Sequence, residues 1–268
     1  MMNNVEYGMK HRKAAGPTRV AALTIAAVAL CSGCALQAPR KPSCSQLDSH
    51  EDAGMERGLR WALTSAERAA SYRQTYLLAR QKLLQRAESH AAGTWAVVMD
   101  ADETILDNAE FRVRMALKQA RWPESKAAWT EWVQQRRAIA LPGASEFIGA
   151  VRMHGGRVFV VTNRNEQQCG ATLQNIAALG ITVDGVLCKS NSDDDKNGRF
   201  ASILDGAASP DGQPIVVLGY IGDSIGDFPS RSQANPEPWD DFGETLFVLP
   251  NPMYGTWEQN DLCALDIH

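Results

Sequence analysis

The chain has few histidines, no excess of basic charge and no long apolar run. It contains 5 histidines among 268 residues, and none lies in a recognisable motif. A reaction through phosphohistidine needs a histidine beside a basic loop, so this sequence disfavours that chemistry. The 27 Lys and Arg residues against 31 Asp and Glu residues give a formal charge of −4. Because binding along nucleic acid needs a basic surface, we expect no nucleic-acid partner.

The longest apolar stretch, residues 20–30, is too short to span a bilayer. Four basic residues precede it: Lys10, Arg12, Lys13 and Arg19. Small residues and two cysteines follow, so residues 1–33 are predicted to be a signal peptide. The ending resembles the lipobox of bacterial lipoproteins, although Cys31 stands where leucine is usual. That resemblance implies lipidation of Cys34 and an exported, membrane-anchored protein, with the outer membrane expected and plain secretion as the alternative.

Four further cysteines would then lie in an oxidising compartment: Cys44, Cys169, Cys188 and Cys263. A disulfide is therefore permitted, but the sequence leaves its pairing open. None of the four has the C-x-x-C spacing of zinc or redox sites.

The mature chain divides into a tether at residues 34–50 and a globular domain at residues 51–268. Helical periodicity predicts an N-terminal helical layer at residues 51–91 and a helical cap insertion at residues 108–140. Three tryptophans are expected to form the core of this cap: Trp122, Trp129 and Trp132.

Residues 96–99 form a short β-branched run, which predicts a central strand covered on both faces. Four more strands are predicted at residues 157–161, 185–187, 215–221 and 245–249, with helices at 144–154 and 166–179 between them. This alternation predicts an α/β domain with a parallel sheet and flanking helices.

Polar side chains follow three of these strands. Asp100 and Asp102 end the first, Thr162 ends the second, and Asp223 and Asp227 follow the fourth. Parallel strands place their carboxyl ends at one edge, so these groups should converge. Grouped carboxylates suit a hard divalent cation such as Mg²⁺, which also takes phosphate oxygens as ligands. A lysine would complete a phosphate site, and either Lys189 or Lys196 lies in a suitable place.

The ordered set of these motifs resembles the haloacid dehalogenase (HAD) superfamily. The segments 100–108, 161–164 and 250–257 resemble more closely the class C acid phosphatases, which are outer-membrane lipoproteins of the acid phosphatase and 5′-nucleotidase type. The resemblance implies a HAD-like Rossmannoid parallel sheet with a small helical cap and an N-terminal helical segment. It also implies Mg²⁺-dependent hydrolysis of small phosphate monoesters.

By the same resemblance, Asp100 is the nucleophile that becomes an aspartyl phosphate, and Asp102 is the general acid and base. The metal would be held by Asp100, by Asp223 and by the backbone carbonyl of Asp102. Asp227 would act on it indirectly, through the other ligands or through water.

The resemblance implies that Thr162 and Lys196 contact the transferred phosphoryl group. Lys196 is preferred to Lys189 because Asp195 and Arg199 flank it as in the family's third motif. Asn163 and Tyr254 are expected to bind substrate.

Two other functions remain open at this point. The same intermediate could transfer phosphate to an alcohol acceptor, or the chain could be a lipoprotein that binds phosphate esters without chemistry. The presence of both Asp100 and Asp102 argues against the second. The sequence does not indicate the oligomeric state.

Overall fold

The structure is a computed structural model that describes residues 57–120, 125–191 and 195–260. The predicted signal peptide, Cys34, the tether and Trp122 lie outside the described residues, and the predictions for them stay predictions. Within the described ranges, no helix is long and apolar enough to cross a membrane.

A parallel sheet of five strands forms the centre of the domain. Its strands are β1 (Trp95–Met99), β4 (Arg157–Asn165), β5 (Gly185–Lys189), β6 (Val216–Gly222) and β7 (Leu246–Val248). Their order across the sheet is β5-β4-β1-β6-β7, and every pairing is parallel. The predicted α/β fold class with β1 at the centre is confirmed.

Seven helices surround the sheet in the described residues. They are α1 (Arg57–Thr64), α2 (Ala66–Ala87), α3 (Ala109–Leu117), α4 (Lys126–Gln135), α5 (Ala144–Met153), α6 (Glu166–Ala178) and α7 (Lys196–Leu204). Two 3₁₀ turns follow at Ile225–Asp227 and Thr256–Gln259. The N-terminal helical layer is α1 and α2, and the cap insertion contains α3 and α4.

The side chains of β1 explain why this strand is central. Val97 and Met99 pack into a core that also contains residues of α2, α5 and α6. Ala96 and Val98 point to the opposite face, into a core that contains residues of α7. Because successive side chains of a strand alternate between faces, one apolar run fills both cores.

The predicted boundaries were wrong in three places. β4 continues to Asn165 and β5 to Lys189, because Asn165 pairs with Lys189 through backbone hydrogen bonds that need no apolar side chain. The end of the cap insertion is not helical: Ile139–Ala140 (β3) pairs antiparallel with Leu106–Asp107 (β2). This two-residue ladder closes the base of the cap and was too short to give a periodic pattern.

Candidate active site

The loop after β1 brings two carboxylates to the carboxyl edge of the sheet. The carbonyl of Ala101 accepts hydrogen bonds from the N–H groups of Ile105 (3.0 Å) and Leu106 (2.8 Å). This tight turn places Glu103 in the left-handed region, with φ of 50°. Alternation along the chain buries the side chain of Ala101 completely in the core. Asp100 and Asp102 are thereby directed to the opposite side from Ala101.

Two tyrosines of helix α2 donate hydrogen bonds to the backbone of this loop. The hydroxyl of Tyr72 donates to the carbonyl of Glu103 at 2.8 Å, and that of Tyr76 donates to the carbonyl of Thr104 at 2.8 Å. Both tyrosines are almost completely buried. Helical periodicity predicted a helix at these residues, but it did not predict these polar contacts.

Three carboxylates meet at the sheet edge. Oxygens of Asp100, Asp223 and Asp227 all lie within 4.8 Å of one another. Gly222 makes this possible, because a Cβ at that position would lie 2.3 Å from the Cβ of Asp227. Three converging carboxylates form the all-oxygen donor set that suits a hard divalent cation. The residues present therefore fit the metal that the sequence predicts at this edge.

Lys196, at the start of α7, contacts two of these carboxylates. Its ammonium donates to Asp100 and, at 2.7 Å, to Asp227, and the residue is only 4% exposed. Burial alone would lower the pKa of Lys196, but Asp100 and Asp227 raise it above the ordinary value. In the described part of the chain Lys196, not Lys189, provides the cation at this site.

Burial in this cluster raises the pKa values of Asp100 and Asp223. Burial raises the pKa of Asp100 to about 7, with Lys196 opposing the shift and Asp227 and Asp102 adding to it. Burial raises the pKa of Asp223 well above its usual value, and Asp227, Asp100 and Glu103 add to this shift. Crowded carboxylates of this kind are stabilised either by protons or by a cation.

Two neutral side chains support Asp223 from the loops on either side. Thr104 donates its hydroxyl proton to Asp223 at 3.2 Å, and the amide of Asn251 donates at 2.9 Å. These hydrogen bonds orient the carboxylate, and the one from Asn251 lowers its pKa against the effect of burial.

Asp102 has different neighbours from Asp100. Arg164 donates to it through Nε (3.1 Å to each carboxylate oxygen) and Nη2 (2.7 Å to Oδ1), and the amide of Asn108 donates at 2.8 Å to Oδ1. The side chain of Arg164 is 1% exposed, whereas that of Asp102 is 20% exposed. The carboxylate of Asp102 is therefore held by buried donors and is itself partly exposed to solvent. Neither partner of Asp102 was predicted from the sequence, although each lies at the end of a segment that carries the family resemblance.

The other predicted site residues lie nearby, but their roles stay predictions. Thr162 is fully buried, and its hydroxyl accepts from the N–H of Arg164 at 3.2 Å. Asn163 is exposed, and its Oδ1 accepts from Arg199 at 3.2 Å. The half-buried ring of Tyr254 is covered on one face by the guanidinium of Arg112, 3.7 Å from the ring centre. Tyr254 also packs against an apolar cluster that contains Leu59 and Val113.

A parallel sheet whose carboxyl edge carries a carboxylate cluster, a buried lysine and a separately held second aspartate defines an enzyme of phosphoryl transfer. The family model for HAD superfamily subfamily IIIB, the acid phosphatases, matches residues 52–257. The chain therefore belongs to this family, and it is a phosphomonoesterase.

Two solved structures agree with this assignment. The class C acid phosphatase from Bacillus anthracis with tungstate bound is 27% identical, with a TM-score of 0.65, over 80% of this chain and 86% of that chain. Another structure of the class C acid phosphatase from Bacillus anthracis matches at 27% identity with a TM-score of 0.64, over the same shares of the two chains. The predicted resemblance to class C acid phosphatases is confirmed.

Proposed function

We propose that the chain is a Mg²⁺-dependent acid phosphatase that hydrolyses small phosphate monoesters through an aspartyl phosphate on Asp100. The observation that carries this proposal is the geometry of the carboxyl edge. Asp100 lies beside Asp223, Asp227 and Lys196, whereas Asp102 forms a separate ion pair with Arg164. This arrangement gives the two aspartates of one short loop different environments, as a nucleophile and a proton carrier require.

The first step is attack by a carboxylate oxygen of Asp100 on phosphorus. A bond forms between that oxygen and phosphorus while the bond from phosphorus to the ester oxygen breaks. Asp102, protonated at this stage, gives its proton to the departing oxygen, so the product leaves as an alcohol.

The second step reverses the role of Asp102. It takes a proton from a water molecule, whose oxygen attacks phosphorus, and inorganic phosphate leaves as the carboxylate of Asp100 is restored. Lys196 keeps Asp100 oriented through both steps, and its charge offsets part of the negative charge at phosphorus.

We assign the metal to Asp100, Asp223 and Asp227, with the backbone carbonyl of Asp102 as a further ligand. A bound Mg²⁺ would supply positive charge that reduces the repulsion between Asp100 and the phosphoryl oxygens. The tungstate bound to the Bacillus anthracis enzyme supports an oxyanion site in a fold of this kind.

Nucleoside 5′-monophosphates are included in the proposed substrate class. Tyr254 offers a ring on which a base could stack, and aromatic stacking on a base contributes about 1–3 kcal/mol. Asn163 is exposed near the buried Thr162 and could donate to a substrate oxygen.

Phosphate release from a panel of nucleotides, aryl phosphates and sugar phosphates, across pH and with or without Mg²⁺, tests this proposal. We expect turnover that chelation abolishes and added Mg²⁺ restores. Full activity after exhaustive chelation would contradict the metal role. Addition of excess alcohol and analysis of products separates hydrolysis from phosphate transfer.

We also propose that the protein is exported and anchored through a lipid on Cys34, in the outer membrane. The disulfide between Cys169 and Cys188 supports export, because disulfides persist in oxidising compartments. Mass spectrometry of the mature N-terminus tests this proposal. We expect acyl chains on Cys34 and their loss in Cys34→Ser, and an unmodified N-terminus beyond Cys34 would contradict it.

A further inference from the structure

A hydrogen bond joins the cap insertion to the side chains around Asp102. The indole N–H of Trp132, on α4, donates to Oδ1 of Asn108 at 2.9 Å. Trp132 is 3% exposed and Asn108 is 1% exposed, so water does not compete for this contact.

The indole N–H makes the shorter of two contacts with the amide oxygen of Asn108, the other being from Arg164 Nη2 at 3.4 Å, and it favours one orientation of this amide. An indole N–H can only donate, so it must face the amide oxygen and never the amide nitrogen. The amide nitrogen is then directed to Asp102 Oδ1, at 2.8 Å, and more weakly to Glu103. A reversed amide would present its oxygen to both carboxyl groups, which is unfavourable whenever either is ionised.

The donors around Asp102 are distributed unequally between its two oxygens. Oδ1 accepts from Asn108 Nδ2 and from Arg164 Nη2 and Nε, at 2.8, 2.7 and 3.1 Å. Oδ2 accepts only the shared Nε–H of Arg164, at 3.1 Å, among the described residues. Oδ2 therefore keeps free acceptor capacity and is the oxygen that can carry a proton to the substrate.

We propose that Trp132 is a positioning residue that acts through Asn108 to hold the carboxylate of Asp102 with Oδ2 directed to the leaving group. This proposal rests on the proposed role of Asp102 as general acid. The donor from Asn108 helps to saturate Oδ1. Without the indole, the orientation of this amide depends on two longer contacts of 3.4 Å, one from Arg164 Nη2 to its oxygen and one from its nitrogen to the carbonyl of Leu106. The position of α4 in the cap insertion is thereby linked to proton transfer at the sheet edge.

Leaving-group dependence tests this link. An alkyl phosphate needs a proton on its departing oxygen, whereas p-nitrophenolate leaves without one. We expect Trp132→Phe, which keeps a buried ring, to lower kcat/KM about tenfold for an alkyl phosphate and less than about twofold for p-nitrophenyl phosphate. Asn108→Ala should give the same selective loss, and Trp132→Phe should add nothing to it in the double variant.

Val133→Ala is the matched control, because Val133 is the buried neighbour of Trp132 on α4 and makes none of these hydrogen bonds. It should lower the melting temperature without changing the ratio of the kcat/KM values for the two substrates. The shift of melting temperature with added Mg²⁺ should be the same for Trp132→Phe and wild type, since the metal carboxylates are not altered.

Asp102→Asn separates the two proposals. If it lowers kcat/KM equally for both substrates, the general-acid role itself is wrong. If Asp102→Asn is selective but Trp132→Phe and Asn108→Ala are not, the positioning role is wrong and the proposed function stands. If Val133→Ala changes the ratio of the two kcat/KM values as much as Trp132→Phe does, the positioning role is also wrong. Should Trp132→Phe not fold, the selectivity of Asn108→Ala decides alone.

Discussion

Lys196 buries a full positive charge between Asp100 and Asp227, where burial penalises the charged form. Such a lysine is tolerated because both neighbours are acidic. Removal of the lysine would leave two carboxylates facing each other without a cation.

We predict that Lys196→Met lowers the free energy of unfolding of the metal-free protein by about 3–5 kcal/mol. Mg²⁺ should restore part of this loss, because it can neutralise the same carboxylates. We also expect kcat/KM to fall by about 10² or more. Urea unfolding with and without Mg²⁺, together with phosphate release, measures these effects.

Lys189→Met is the matched control for this variant, since Lys189 is the other lysine that the sequence offered. It should change the unfolding free energy by less than about 1 kcal/mol. Equal losses of activity in the two variants would contradict the assignment of Lys196.

Glu103 gives the molecule a dependence of stability on pH. Burial, with a contribution from Asp102, raises the pKa of Glu103 to about 8. In the unfolded chain the group ionises near its ordinary pKa of 4.5. Between these two values the folded protein holds a proton that the unfolded chain has lost, so stability falls as pH rises through this window.

We therefore predict that Glu103→Gln flattens the decrease in melting temperature of the metal-free protein between pH 5 and pH 8. One proton contributes at most about 1.4 kcal/mol per pH unit to this slope. Part of the pH dependence of stability should remain in Glu103→Gln, because the pKa of Asp100 is also raised, to about 7. An unchanged slope in Glu103→Gln would show that Glu103 is ionised in the folded protein.

At the scale of elements, helix α2 is a support for the catalytic loop as well as a cover for the sheet. Tyr72 bridges Glu103 and, at 3.2 Å, the carbonyl of Pro250, while Tyr76 reaches Thr104. Thr104 in turn donates to Asp223. A change on α2 can therefore reach the metal carboxylates through one residue.

We predict that Tyr76→Phe leaves the carbonyl of Thr104 unsatisfied and lowers the unfolding free energy by about 1–3 kcal/mol. It should also reduce the gain in melting temperature that Mg²⁺ produces. Tyr220→Phe is the control, because Tyr220 packs in the core on the other face of the sheet. A Mg²⁺ response that is identical in Tyr76→Phe and wild type would contradict the support role.

The disulfide between Cys169 and Cys188 joins α6 to β5 across 19 residues of sequence. A closed loop of this size stabilises a fold by about 3 kcal/mol, mainly through the unfolded chain. We predict that reduction, or replacement of both cysteines by alanine, lowers the urea midpoint accordingly while turnover at 25 °C persists. The double variant should be insensitive to reductant. A midpoint of the wild type that reductant does not change would contradict the pairing.

At the scale of the whole molecule, the sheet was predictable because its strands are short apolar runs with polar ends. Residues 96–99 and 157–161 indicated two strands of one parallel sheet, whereas the order of the five strands was observed only in the structure. The convergence of Asp100, Asp223 and Asp227 followed from the same reasoning, since parallel strands share one carboxyl edge.

The side-chain partners were not predictable, because they join residues far apart in sequence. Arg164 reaches Asp102 across 62 positions, and Tyr76 reaches Thr104 across 28. The resemblance to the family's third motif favoured Lys196 over Lys189, but its contacts with Asp100 and Asp227 were visible only in the structure. The pairing of Cys169 with Cys188 depends on the register of α6 against β5, which no periodic pattern encodes.

The central claim is that Asp100 is the nucleophile at the carboxyl edge of the sheet. Steady-state phosphate release by Asp100→Asn, in saturating Mg²⁺ and compared with wild type, tests it most directly. Asparagine keeps the size of the side chain, and a circular dichroism spectrum like that of wild type would show that the fold persists. We predict a loss of at least about 10³-fold in kcat. Turnover within tenfold of wild type would contradict the account.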